Sequence, residues 1–318
     1  MRALVTGGAG FIGSTLVDRL LAEGHDVDVI DDLSTGTLAN LTDARATAGG
    51  RLTFHHVDVR SEACTELVVR RRPEVVFHLA AQADVRVSVA DPVFDAQVNV
   101  VGTLRVLEGA RVVGSERVVF AASGGTLYGD ADPASLPLRE AEPHRPLSPY
   151  GVSKKAAIDY LVAYRELHAL EFVALALANV YGPRQDPHGE AGVVAIFAER
   201  LVAGVPVAIF GDGSQTRDFV YVDDVVDAFV RAASRSGGLV CNIGTGRETS
   251  VNDLFAAIAG HVGTGAVPEH APARPGELLR NALDPGRAGI QLGWSPWTTL
   301  DDGTAAVVAA VRASRADG

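Results

Sequence analysis

An α/β fold built on a doubly wound parallel sheet, with a smaller C-terminal α/β part, is the architecture this sequence predicts. Three observations carry that prediction. Short apolar runs alternate with helical stretches up to about residue 180, a glycine-rich turn joins the first run to the first helical stretch, and loop signals crowd the chain beyond that point. Continuous apolar strands separated by helices imply a parallel sheet covered on both faces.

The candidate strands are Ala3–Thr6, Val27–Ile30, Leu52–Val57, Val75–Leu79, Val118–Ala122 and Phe172–Ala178. Between the first two, Ser14–Glu23 carries Leu16, Leu20 and Leu21 at helical spacing and stops at Gly24. Ser148-Pro149 reads as a helix start, with serine as N-cap and proline at the first helical position. Tyr150 then lies in the first turn and Lys154 four residues on, on the same face. After about residue 180, Gly182-Pro183 and Gly211-Asp212-Gly213 signal loops. A helix is expected over Val225–Ser236 behind an Asp223-Asp224 cap, another after a capping box at Ser250–Asp253, and a last amphipathic one over Thr304–Arg315. The expected division is a first domain over 1–178 and a second over 179–318, some of whose segments return to pack on the first. The second closes over the carboxyl ends of the strands, where ligands bind in such sheets.

A chain of 318 residues with 47% hydrophobic and 21% charged residues has ample material for a core. Its formal net charge of −11 speaks against a nucleic-acid partner. The two cysteines, Cys64 and Cys241, have no paired spacing, which fits a reducing compartment. The N-terminus runs straight into Ala3–Thr6 without a signal-peptide pattern, and no run approaches the roughly 18 apolar residues of a membrane span. A cytoplasmic protein without a membrane partner is expected. No metal is expected either. His55 and His56 are neighbours on a strand and face opposite ways, and Asp186, His188 and Glu190 read as a solvated loop more readily than a cation site.

Glycines 7, 10 and 13 let the chain turn tightly, approach a pyrophosphate and pack helix on strand. The helix that follows offers free N–H groups and a positive dipole end to phosphates. Asp31 stands 18 residues past Gly13, at the end of the second strand, a position suited to ribose hydroxyls, although a solvated acid is the alternative. Asp31 with Asp32 would repel a 2′-phosphate, which favours NAD over NADP. Tyrosine is a poor base near neutral pH because its pKa is about 10. A cation beside it favours the phenolate, and bringing Tyr150 to about 7 needs about 4 kcal/mol.

The spacing Gly-x-x-Gly-x-x-Gly, together with Tyr150 and Lys154, resembles the extended short-chain dehydrogenase/reductases over almost the whole chain. That resemblance implies a Rossmann-type sheet holding NAD. It assigns the phosphates to the turn, with Gly7, Gly10, Phe11, Ile12 and Gly13, and the adenosine half to Asp31, Asp32, Ser34, Thr35 and Gly36. Asp58 and Val59 fall to the adenine, and Leu79, Ala80, Ala81, Gln82 and Asn99 to the region beside the cofactor. Tyr150 and Lys154 complete the cofactor set and, with Ser123, form the catalytic set. Many sugar-nucleotide epimerases carry the hydroxyl one residue later, at Gly124 here, so Ser123 takes the role with Thr126 as second candidate.

The segments Ala178–Val193, Ile209–Gly213, Thr216–Val220 and Arg274–Glu277 are similar to the bacterial UDP-glucose 4-epimerase group. That similarity gives Asn179, Arg217 and Arg274 to a diphosphate and Val193 and Phe210 to a uracil pocket, with Ser123, Thr126 and Tyr150 toward the sugar. Arginine suits phosphate because its planar fork matches the oxygens. Ala176-Leu177 departs from the Arg-Tyr common at that place, and Asn281 stands at a gate position where a small residue leaves room for a 2-acetamido group. The implied reaction is NAD-dependent 4-epimerisation of a UDP-hexose through a 4-keto intermediate, in a homodimer. UDP-N-acetylhexosamine and UDP-glucuronate epimerases are the near alternatives. A 4,6-dehydratase is disfavoured because Gly125 and Thr126 occupy the places of its usual acid pair. A non-catalytic NAD sensor is disfavoured because tyrosine and lysine are both present.

Overall fold

The structure, a computed structural model, describes residues 1–187, 192–273 and 278–316. Its centre is a sheet of seven strands, all parallel. In chain order the first six are β1 (Arg2–Thr6), β2 (Asp26–Asp31), β3 (Leu52–His56), β4 (Val75–His78), β5 (Arg117–Ser123) and β6 (Glu171–Leu177). Across the sheet they run β6-β5-β4-β1-β2-β3, and Leu239–Ile243 adds an outer strand beside β6. The order reverses between β1 and β4, which opens a crevice at the carboxyl ends of the strands. Leu4, Val5, Val76, Phe77, Val118 and Val119 are fully buried, as a sheet covered on both faces requires. The edge strand β3 is half-buried over its first four residues and exposed at His56.

Strand ends fall within a residue or so of the expected ones, but three helices begin earlier. The first, α1 (Phe11–Ala22), starts inside the glycine turn rather than at Ser14. It can because a side chain is missing there: a Cβ on Gly13 would stand 2.1 Å from the Gly7 carbonyl oxygen. The helix expected from Val225 runs Val222–Ala232, so Asp223 and Asp224 sit in its first turn instead of capping it. Acids there complement the helix dipole. Asp224 is committed elsewhere: it accepts from Trp297 N (3.0 Å), Thr298 N (3.0 Å) and Thr298 Oγ1 (2.6 Å). The last helix runs Leu300–Ala316, with Thr299 Oγ1 accepting from Asp302 N at 3.1 Å. Two caps form where expected. Ser148 Oγ accepts from Gly151 N at 3.2 Å ahead of the long helix Pro149–His168, and Ser250 Oγ accepts from Asp253 N at 3.0 Å ahead of Val251–Val262.

Beyond β6 the chain forms a second, smaller core. Helices Val193–Val202, Val251–Val262 and Leu300–Ala316 pack together through Phe197, Leu201, Leu254, Ile258 and Val307. Asn179–Tyr181 pairs with Phe219–Tyr221, Thr216–Arg217 with Thr249–Ser250, and Ala208–Phe210 with Glu269–Ala271. Asp218 ties this part to the sheet. Its buried carboxylate accepts from Thr245 N (2.9 Å), Thr245 Oγ1 (2.6 Å), Gly246 N (3.0 Å) and Leu283 N (3.1 Å), which fixes the loop after the outer strand. Leu283 in turn lies over Gly124 at the end of β5.

Candidate active site

The glycine turn occupies the crevice at the end of β1. Gly7 has φ +70°, and a Cβ on it would lie 2.7 Å from Ala80 N, so conformation and space both demand glycine. Gly10 N bonds Gly7 O at 3.2 Å, and Gly7 N bonds Ile30 O at 2.8 Å. Phe11, Ile12 and Gly13 form the first turn of α1, whose N–H groups have no partner within the helix. Asp31 ends β2 and is nearly out of water. Its Oδ2 accepts from Ala9 N (2.9 Å) and its Oδ1 from Leu33 N (2.8 Å), so burial raises its pKa while these two bonds oppose the rise. Each oxygen keeps a lone pair, and Gly36 keeps the neighbouring space open: its Cβ would meet Asp31 Oδ1 at 2.9 Å. Asp32 is exposed and accepts from Ser34 N and Ser34 Oγ, while Thr35 sits in the same loop. The turn, its helix and the acid pair fit an adenine dinucleotide with a free 2′-hydroxyl.

Other candidates for the cofactor already have partners. Asp58 is gripped by Arg60, which holds its pKa below the ordinary carboxylate range, and Arg60 also lies over the Phe94 ring. Val59 packs against Gly102, whose added Cβ would stand 2.9 Å from it. Leu79 N bonds Thr6 O and Ala80 N bonds Thr6 Oγ1, with Ala81 half-buried beyond. Gln82 N donates to Asn99 Oδ1 at 3.0 Å and Asn99 Nδ2 returns to Gln82 O at 2.9 Å. His55 and His56 take different partners, Asp28 Oδ1 and Asp32 O.

A directed chain of hydrogen bonds lies behind this wall. Thr103 Oγ1 donates to Asn99 O at 2.7 Å, so it can only accept from His78 Nε2 at 3.0 Å. His78 Nδ1 then accepts from Thr6 Oγ1 at 2.7 Å. The chain requires a neutral ring, and burial, helped by Lys154, pushes the His78 pKa down to about 3. Sequence reading missed both threonines.

Ser123, Tyr150 and Lys154 come together where β5 ends against the long helix. Lys154 is buried, and its Nζ donates to Ala121 O at 2.9 Å. The same Nζ lies 4.8 Å from the Phe120 ring centre and 5.8 Å from that of Tyr150. Burial lowers the Lys154 pKa to about 8, and the charge of Asp95 resists that fall. Burial pushes the Tyr150 phenol up to about 12, against a hydrogen bond with Ser123 that lowers it. The fall toward about 7 expected for Tyr150 needs the charges of Lys154 and NAD together. The lysine is turned to the Ala121 carbonyl, and desolvation dominates at Tyr150. Thr126 Oγ1 is buried with no partner, so the hydroxyl that meets Tyr150 is that of Ser123.

The substrate candidates lie along the path leaving β6. Leu177 pairs with Ser123, and Asn179 follows two residues later, opposite Phe219. Arg217 precedes Phe219 by two residues, half-buried, with Nη1 donating to Thr216 O at 2.8 Å. Phe210 is exposed, its carbonyl held by Gln215 Nε2 at 2.8 Å, and Val193 opens the next helix half-buried. Arg274 lies outside the described residues, as do His188 and Glu190. Asn281 is 2% exposed, and its Oδ1 has no hydrogen-bond partner. Among the described residues no cluster of ligating side chains could hold a metal ion, and no helix is long and apolar enough to cross a membrane.

A model of the NAD dependent epimerase/dehydratase family matches residues 3–244. The chain belongs to that family. NAD is therefore its cofactor, and the turn, Asp31 and the Tyr150–Lys154 pair fall within the matched span. Over 309 residues the chain is 54% identical to a UDP-glucose 4-epimerase of Mycolicibacterium smegmatis, covering 97% of each protein. A UDP-glucose 4-epimerase from Thermotoga maritima, solved with UDP-glucose, superposes with a TM-score of 0.95 at 42% identity, covering 99% of this chain and all of the other. A Thermus thermophilus UDP-glucose 4-epimerase solved with NAD gives 0.90 at 43% identity, covering 98% of this chain and 99% of the other.

Sequence reading missed Asp95 and Ser153. Asp95 stands four residues before Asn99, hence on the same helix face, and Ser153 directly precedes Lys154. That spacing was the available signal.

Proposed function

We propose that this epimerase-family chain interconverts UDP-glucose and UDP-galactose by inversion at C4 through a 4-keto sugar. The observation that carries the reading is Ser123 against Tyr150 at the end of β5, with Lys154 one turn behind and the glycine turn across the crevice. The similarity along the whole chain to a UDP-glucose 4-epimerase supports the choice of sugar nucleotide.

NAD, which the glycine turn and Asp31 would hold, would when bound supply the hydride acceptor and donor for C4. Tyr150, as phenolate, takes the proton of the sugar 4-hydroxyl and gives it back after the ketone has turned. Ser123 donates to the C4 oxygen and holds it at bonding distance from Tyr150. Lys154, cationic below about pH 8, favours the phenolate once its ammonium is aimed at the cofactor ribose and Tyr150. Arg217, Asn179 and Arg274 clamp the diphosphate, which tethers the ketone while it rotates, and Val193 and Phe210 flank the uracil.

The same reading assigns 1–178 to the cofactor and 179–318 to the nucleotide sugar, and places the protein in the cytoplasm, where its free cysteines, both buried, stay reduced. It also makes the protein a homodimer. Val101 and Val112 on one helical stretch and Val152, Tyr160 and Leu167 on the long helix are exposed apolar side chains, and the two helices touch through Tyr164 and Glu108. Sedimentation velocity checks this, and Leu167→Glu is expected to give monomer.

Purified protein incubated with UDP-galactose and no added NAD should form UDP-glucose. No conversion even with NAD supplied would remove the UDP-hexose reading. Turnover confined to UDP-N-acetylglucosamine would instead favour the enlarged pocket implied by Asn281.

A further inference from the structure

Asp95, in the helix Pro92–Ala96, is wholly out of water and joins three segments. Its Oδ1 accepts from Asn99 Nδ2 at 2.9 Å and from Gln82 Nε2 at 3.1 Å, and its Oδ2 accepts from Ser153 Oγ at 2.6 Å. Both oxygens face donors, the arrangement of an ionised carboxylate, yet none of the three donors carries a charge. A buried carboxylate without a cation in contact is unfavourable unless a counter-charge lies close by. Lys154 has the complementary deficit. Its ammonium is buried, bonded to the Ala121 carbonyl and stacked near Phe120, with no carboxylate in contact among the described residues.

We propose that Asp95 is a positioning residue of the acid–base pair. Its carboxylate ties the loop after β4 to the helix of Tyr150 and Lys154 and supplies a buried negative charge bonded to Ser153, the residue next to Lys154. The bond to Ser153 fixes the turn of helix that carries Lys154, and the bonds to Gln82 and Asn99 fix the wall beside the cofactor. The charge acts on both members of the pair: it makes Lys154 harder to deprotonate and Tyr150 harder to ionise. The other titratable groups around the cluster are spoken for. His78 is neutral between its threonines, Asp84 pairs with Arg86 while its carbonyl takes Gln82 Nε2, and Arg60, over the Phe94 ring, pairs with Asp58.

The proposal rests on the 4-epimerase reading, and Asp95→Asn tests it while leaving the packing in place. An asparagine oxygen can still accept from Asn99 and Gln82, and its amide can donate to Ser153, so only the charge is lost. In the variant, kcat/KM for UDP-galactose plotted against pH should keep its bell shape. Both limbs should move to lower pH by about half a unit or more, because a lost negative charge eases both deprotonations. Asp95→Glu and Ser153→Ala keep the charge and should keep the limbs in place whatever happens to kcat. A second readout needs no turnover: the tyrosinate absorbance that disappears in Tyr150→Phe reports Tyr150 alone, and in Asp95→Asn it should appear at lower pH. If the wild type does not act on UDP-galactose, that titration still decides the proposal separately from the epimerase reading. Limbs and titration both unmoved in a folded Asp95→Asn would overturn the proposal. So would an equal shift in Ser153→Ala, which also serves if Asp95→Asn does not fold.

Discussion

The two halves of the site are built by different means. On the cofactor side the constraint is backbone geometry: Gly7 and Gly13 occupy places where a single Cβ would collide with main chain, and threonines with a neutral histidine lock the strands behind them. On the proposed sugar-nucleotide side Asn179, Phe210 and Arg217 ride on two- and three-residue ladders, and their work would be done by side-chain reach. Damage to the first half should therefore be all-or-none and appear in cofactor content, and damage to the second should be graded and appear in KM.

The largest effect belongs to the residue the two halves share. Tyr150→Phe should lower turnover by about 10²- to 10⁴-fold, the range for losing a general acid–base group, while the purified protein still carries NAD. Loss of NAD from this variant would make Tyr150 a binding residue instead. Next comes Gly13→Ala, which puts a methyl 2.1 Å from the Gly7 carbonyl oxygen. NAD released on denaturation should be nearly absent, and retention of full content would show that the turn can open. Arg217→Ala should raise KM for UDP-galactose by about ten-fold or more, the worth of one charge-assisted bond, with kcat little changed. A fall in kcat with KM constant would place Arg217 away from the diphosphate.

The smallest effect is the pH profile. Lys154 loses its proton as pH rises through about 8, because burial disfavours the cation. Its support for the phenolate is present below that pH and lost above it, so kcat should decline on the alkaline side. A profile flat well beyond pH 8 would contradict Lys154 as the charge that sustains Tyr150.

What could be read from the sequence follows the same division. The first six strands, the glycine turn, the Ser148 cap and the Tyr150–Lys154 face were legible because each rests on periodicity or on a residue type that geometry demands, whereas the order of the strands and the outer strand Leu239–Ile243 were not read. Helix starts at Phe11, Val222 and Leu300 were read too late. Glycines and aspartates in a first turn look like boundaries, and only the tertiary partners of Asp224 reveal that it belongs inside. Asp95 was invisible because a single acid in a helical stretch looks solvated until the fold removes its water. The direction of the Lys154 ammonium was invisible for a related reason: spacing places lysine near tyrosine but does not tell which way its Nζ turns.

The most direct test follows one atom. UDP-galactose carrying deuterium at C4 would be converted in ordinary water and the UDP-glucose examined by NMR and mass spectrometry. Hydride that leaves C4 and returns to it within one closed site keeps the label, so full retention of deuterium at C4 is expected. Washout to hydrogen from solvent would contradict hydride return to C4, and with it the assignment of Tyr150, Lys154 and Ser123 to that step.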